Sequence, residues 1–466
     1  MLFKKTKDNS ITALIDSDGR KITYGELNEQ TDTLSKILKK RAVILVLCDI
    51  SLETVSIYYS LLNLGIVPIM MDPKSSNEQI IKAIREYKPY YFWCRIEAYK
   101  NMRENIGKLL LPFNDYGLYK TPYRCYEIYS ELALLLNTSG STGSSKMVRI
   151  SYNNILYNTN LLMKFLNVSA SDIGITSLPI HHCLGLALLH LCWEAGARVC
   201  LFGGTVLEPN YKRMIDENNV SITFLVPYSL KLLMMTNYHD AKFDSFRQVL
   251  VGGGRLEDEF RDFLVSFCEI HGMESFVGYG QTEGTCFISG INTRKIVFSE
   301  DVGYVSGGLV GTIKHPDADG VGELVISGKS VSLGYAQGCK DLVREDDNKG
   351  LLHTGDLAYI TSNGEVFLKG RLKRIVKILG ERISLDDVEN YLKERFSEIE
   401  IVCVDKEDTI CVFHDGGRIF DNEIKECISS GMKIYKAMIK AIAVESIPRL
   451  ANGKINYQKL GKMINN

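Results

Sequence analysis

Residues 136–146 read Leu136-Asn137-Thr138-Ser139-Gly140-Ser141-Thr142-Gly143-Ser144-Ser145-Lys146, a hydroxyl- and glycine-rich loop that ends in a lysine. In such a loop bare backbone N–H groups and small hydroxyls can wrap a polyphosphate, and the lysine adds a mobile positive charge. A Walker A loop requires GxxxxGK[ST]. Here Gly140 and Gly143 are out of register with Lys146, and Met147 stands where Ser or Thr belongs. The loop therefore reads as a phosphate loop of another kind, although taken alone the same composition also suits a Ser/Gly linker.

Further candidates follow in order along the chain. Gly252-Gly253-Gly254 closes an apolar run, where backbone can approach a flat base. Then come Tyr279-Gly280-Gln281-Thr282-Glu283, Thr354-Gly355-Asp356, Gly370-Arg371 with Lys377 and Gly380, and Asn452-Gly453-Lys454.

In this order and spacing the set resembles the core motifs of the adenylate-forming (AMP-binding) superfamily, which includes acyl- and aryl-CoA synthetases, the adenylation domains of nonribosomal peptide synthetases, and luciferase. The resemblance runs from Ile22-Thr23-Tyr24-Gly25-Glu26-Leu27 to about Leu460. It implies attack of a carboxylate on the α-phosphorus of ATP, release of pyrophosphate, and transfer of the acyl group to a thiol. Two anions must meet in the first step, so catalysis is mostly charge neutralisation and alignment.

The resemblance assigns Thr138, Ser139, Gly140, Ser141, Thr142, Gly143 and Lys146 to the β- and γ-phosphates. It assigns Tyr279, with Gly252, Gly253, Gly254, Gly280 and Gln281, to adenine, Thr282 to the α-phosphate, and Glu283 to Mg2+. Asp356 and Arg371 take the ribose. Lys454 bridges carboxylate and α-phosphate in one orientation of a small mobile domain. Lys373 falls at the hinge and Gly380 in the thiol channel. The chain departs from the family in having Ser145 and Met147 around the lysine, where proline and glycine are usual, which implies a softer loop.

Leu178-Pro179-Ile180-His181-His182-Cys183-Leu184-Gly185 resembles the Pro-x-x-His-x-x-Gly segment of acyl- and aryl-CoA synthetases, with His182 as the matching histidine at the mouth of a pocket that Cys183 and Gly185 help form. Amino-acid-activating members carry an aspartate where this chain has Cys183. Burying an ammonium without a counter-charge is costly, so an α-amino acid is disfavoured and an aliphatic or hydroxy acid fits better. The thiol acceptor is expected to be coenzyme A, or alternatively the phosphopantetheine arm of a carrier protein supplied in trans. A non-catalytic nucleotide-binding sensor is the alternative from another class. Retention of Lys146, Glu283, Asp356, Arg371 and Lys454 argues against it.

The elements that must position these residues are also legible. With 466 residues the chain exceeds the size at which a single core keeps growing. Apolar runs at 43–47 and 67–71 flank a helical pattern at 52–64, and similar units recur at 176–202 and 222–251. Such alternation predicts an α/β fold with a large N-terminal domain of two α/β layered subdomains. From Gly303 onward short runs separated by glycines predict a small β-barrel. After Gly370 a small mobile α+β C-terminal domain is expected, giving domains 1–370 and 371–466, with a helix capped at Ser384. Hydrophobic residues make up 45%, charged residues 24% and the net charge is −1, so nucleic acid is not an expected partner. Twelve scattered cysteines with no CxxC pair read as buried thiols of a cytoplasmic protein. The apolar stretches 55–71 and 184–202 are too interrupted by polar residues to span a membrane.

Overall fold

Val43–Leu47 and Val67–Met71 are apolar at every position, as strands covered on both faces must be. Between them Leu52–Leu64 starts at Ser51, whose side chain accepts from the Thr54 N–H, and ends at Gly65 with φ of 73°. These bounds coincide with those read from the sequence. The computed structural model describes residues 2–3, 8–102, 106–137, 146–236, 243–378, 381–406, 409–432, 434–450 and 453–464. Thr138, Ser139, Gly140, Ser141, Thr142, Gly143 and Gly380 lie outside them, as does the side chain of Lys373.

Two compact units divide the chain. One comprises Met1–Gly311 with Ile326–Leu352, the other Thr312–Val325 with His353–Asn466. The first unit holds two sheets with helices on them. In one, the strands run in the order Tyr335–Ala336, Met147–Ser151, Leu132–Asn137, Val67–Met71, Val43–Leu47, Tyr91–Arg95, Tyr116–Lys120 and Lys108–Phe113. In the other, Ile173–Thr176, Ile222–Leu225, Gln248–Gly252 and Glu274–Tyr279 lie side by side and parallel. The expected pair of α/β layered subdomains is therefore present. The first strand of this parallel set ends earlier than the run at 176–178 suggested. Thr176 is its last residue, and its hydroxyl accepts from the Leu178 N–H, which starts the turn into Pro179.

In the second unit the glycine-spaced runs become the strands Val310–Lys314, Gly322–Ser327, Leu351–Ile360 and Glu365–Arg371, neighbours in that order and partly shared with the first unit. Beyond them Ile401–Lys406, Thr409–His414 and Ile439–Ala443 form a three-stranded sheet. The helices Leu385–Lys393 and Phe420–Met432 pack their buried valine, leucine and isoleucine residues into the core over this sheet. Ser384 caps the first of these helices by accepting from the Asp387 N–H. Among the described residues no helix is long and apolar enough to cross a membrane.

Candidate active site

Parallel strands gather loops at their carboxyl ends, and in open α/β sheets that rim is where ligands bind. Gly252 and Gly278 are register partners at that rim, so Gly252-Gly253-Gly254 and Tyr279-Gly280-Gln281 leave the sheet side by side. A Cβ on Gly280 would stand 1.5 Å from the Cys286 carbonyl oxygen, so the returning chain seals this turn and admits only glycine. Gly253, at φ of 81°, occupies the left-handed region.

Thr282–Gly284 is a single 3-10 turn, held from three sides. Asn158, buried on the helix Tyr152–Leu166, donates to the carbonyls of Gly284 (3.3 Å) and Phe287 (2.7 Å) and accepts from the Phe287 N–H (3.1 Å). Thr285 donates to the Ser330 carbonyl at 2.6 Å, and Ser332 N–H donates to the Glu283 carbonyl at 2.8 Å. The Glu283 carboxylate is thus presented by a rigid turn, and its Oε1 accepts from the Tyr335 hydroxyl at 2.7 Å. Burial first, and then the neighbouring carboxylate, push the Tyr335 phenol well above its ordinary value.

Lys146 reaches the same place from the opposite sheet. It directly precedes Met147–Ser151, whose Val148 is the register partner of Tyr335. Its Nζ sits 3.5 Å from the centre of the Tyr335 ring. Beneath this pair the fully buried Arg149 donates to the carbonyls of Leu333 (2.6 Å), Arg344 (2.5 Å) and Glu345 (3.1 Å) and to Asp347 Oδ2 (2.7 Å). An ammonium and a carboxylate therefore meet on one tyrosine.

The helix Cys183–Ala195 aims its first turn at the rim. His182 is its N-cap and donates its backbone N–H to the Pro179 carbonyl at 3.1 Å. The His182 ring lies 4.3 Å from that of the more buried His181. Burial lowers the His181 pKa, with Asp72 acting in the opposite sense. Gly185 lets this turn sit under the Leu178–Pro179 backbone. Thr282 Oγ1 is 3.6 Å from Cys183 Sγ. Cys183 and Leu184, with Leu162, Leu250, Cys286 and Phe287, line a cleft of ≈ 360 Å³ that continues along Tyr279 and the glycines of both loops. Among the described residues that line it, none is charged.

In the second unit Asp356 and Arg371 are register partners on adjacent strands. Arg371 Nε stands 3.0 Å from the buried Asp356 Oδ1. Asp386 accepts from the Arg371 N–H at 3.1 Å and from Arg374 Nε at 2.5 Å, so it spans Lys373. Lys454 follows Gly453, which has φ of 79°, in a turn closed by the Leu450 N–H on the Lys454 carbonyl at 2.7 Å.

The family model described as AMP-binding enzyme matches residues 4–336, more than two thirds of the chain. The chain belongs to the AMP-binding enzyme family. It is 26% identical over 488 residues to tyrocidine synthase 3 of Brevibacillus parabrevis, with 96% of this chain aligned, although it spans only 7% of that much longer protein. It is 23% identical over 494 residues to 4-coumarate–CoA ligase-like 9 of Arabidopsis thaliana, covering 97% of this chain and 87% of the relative. Among solved structures, ATP-bound MatB from Rhodopseudomonas palustris superposes with a TM-score of 0.81 at 18% identity, over 100% of this chain and 98% of the other.

Against this AMP-binding frame, Tyr335, Asn158 and Arg149 are site-building residues that the motifs did not reveal. The sequence signal for Tyr335 was slight, a tyrosine after Gly334 in a short run. Asn158 and Arg149 are single polar residues in otherwise apolar segments.

Proposed function

We propose that this protein activates a carboxylic acid with ATP and then passes the acyl group to a thiol, coenzyme A in first place. In the first step a carboxylate oxygen bonds to the α-phosphorus and the bond to pyrophosphate breaks. In the second a thiolate sulfur bonds to the acyl carbon and AMP leaves. The observation that carries this reading is the convergence, at one sheet rim, of Lys146, Glu283 and Thr282 with an apolar cleft.

In this reading Lys146 and the loop before it hold the β- and γ-phosphates, Thr282 touches the α-phosphate and Glu283 would hold the Mg2+ that neutralises phosphate charge. A single carboxylate on a rigid turn suits that cation, which keeps phosphate oxygens and water for its other positions. Tyr279 and the paired glycine loops take adenine, Asp356 with Arg371 takes the ribose, and Lys454 bridges carboxylate and α-phosphate. Lys373 serves as the hinge between 1–370 and 371–466.

The cleft narrows the acid. Its apolar lining offers an ammonium no counter-charge. The substrate is therefore a medium-sized or aliphatic acid, or a hydroxy acid, rather than an α-amino acid. Carboxylate-dependent exchange of labelled pyrophosphate into ATP tests this across fatty, aryl, hydroxy and amino acids. Exchange confined to aliphatic and hydroxy acids is expected, and strong exchange with an α-amino acid would overturn the substrate assignment. Lys454→Ala should abolish exchange while ATP still binds; a variant that exchanges like the parent would remove Lys454 from the chemistry.

A further inference from the structure

Two opposite charges that face the same ligand have a cheaper option than waiting for it: they can neutralise each other. Lys146 and Glu283 both contact one side chain, Tyr335. The Tyr335 hydroxyl donates to Glu283 Oε1 at 2.7 Å, and the Lys146 ammonium rests 3.5 Å from the centre of the Tyr335 ring. A ring face attracts a cation without cancelling its charge. A phenol that donates to one carboxylate oxygen fixes the carboxylate's rotation and leaves the second oxygen for a metal.

The scaffold places Tyr335 with care. Its backbone pairs in register with Val148, two residues after Lys146. The buried Arg149 guanidinium ties the same strand to Leu333 on one side of the tyrosine and to Arg344, Glu345 and Asp347 on the other. Glu283 is tied independently through its carbonyl to Ser332. Lysine, tyrosine and glutamate therefore belong to three segments whose backbones are cross-linked to one another.

We propose that Tyr335 is a positioning residue that holds Lys146 and Glu283 apart and poised, and thereby sets the Mg2+ requirement of nucleotide binding. The inference rests on the adenylating reading of the site. On arrival of MgATP, Lys146 leaves the ring for a phosphate, while Glu283 keeps the tyrosine's hydrogen bond and offers its other oxygen to the metal.

The test measures ATP binding directly, by calorimetry, in chelator and across a Mg2+ series, so that it does not depend on finding the acid. Tyr335→Phe keeps the ring and removes the donor. The Mg2+ concentration for half-maximal tightening of ATP binding should rise about 10-fold, the usual effect of removing a partner of a metal-binding carboxylate, with ATP binding in chelator unchanged. Tyr335→Leu removes the ring as well and should also weaken binding in chelator. On a Glu283→Gln background, Tyr335→Phe should add no further shift. Backbone pairing at Tyr335 is retained in the phenylalanine variant, so its melting temperature should match the parent's. A parent that binds MgATP with an unchanged Mg2+ dependence in Tyr335→Phe would overturn this proposal alone. A parent that binds no ATP at any Mg2+ concentration would overturn the adenylating reading and this proposal together.

Discussion

Replacing Gly185 by alanine should damage acid recognition more than nucleotide binding, and the structure sets the size of the effect. A methyl carbon at position 185 would lie 2.4 Å from the Pro179 carbonyl oxygen and 2.8 Å from that of Leu178. Carbon–oxygen contacts settle near 3.3 Å, so the first turn of the Cys183–Ala195 helix must withdraw by roughly 0.9 Å. Overpacking of this kind costs about 1–3 kcal/mol of stability. The same turn carries Cys183 and Leu184 into the cleft. A displacement of about 1 Å there should lower kcat/KM for the acid by roughly 10- to 100-fold. Gly461→Ala is the matched control, since a methyl at that helical position meets nothing within 4 Å. It should gain about 0.5–1 kcal/mol and leave kinetics alone. Urea denaturation and pyrophosphate exchange, measured on both variants, decide the matter. A Gly185→Ala protein as stable and as active as the parent would show that this contact does not position the helix.

Two further outcomes follow from buried polar contacts. Asn158→Leu strips partners from two carbonyls and one N–H around the Thr282–Gly284 turn. It should cost about 2–4 kcal/mol and raise the Kd for MgATP, read by denaturation and titration; tight MgATP binding in the variant would show that the turn does not need this clamp. His190 is buried, 2.8 Å from the Tyr58 hydroxyl, and burial lowers its pKa to about 3. The unfolded chain takes up a proton there near pH 6.5 and the folded chain does not. Stability from this residue is therefore complete above pH 6.5 and falls by about 1.4 kcal/mol per unit below it, until the folded pKa is reached. His190→Gln should flatten the acid limb of the stability curve by one proton; equal slopes in parent and variant would refute the assignment.

Residues that act through local pattern were readable in advance. Val43–Leu47, Leu52–Leu64 and Val67–Met71 were legible because apolar runs, a serine cap and a glycine stop all act within a few residues. Ser384 was legible as a cap for the same reason. Glu283, Lys146 and Gly280 were found through motifs, but the motifs do not say what touches them. That Glu283 meets Tyr335, 52 positions away, depends on strand register. The importance of Asn158 depends on a helix packing beside a loop 126 residues later. Position in a sheet and the partner of a buried amide are tertiary facts, and nothing in local composition encodes them.

The first unit is also discontinuous in the chain, and this bears on how it is made. A nascent chain that has reached Gly311 holds most of that unit but lacks Ile326–Leu352. Without Leu333, Arg344, Glu345 and Asp347, burying Arg149 would strand an unpaired guanidinium. The strand Met147–Ser151 would also remain an open sheet edge, the kind that pairs with other chains. Tyr335–Ala336 covers that edge only after the ribosome has moved on. The strand that Lys146 directly precedes is therefore completed late in synthesis, and until then its edge stands open to pairing with other chains.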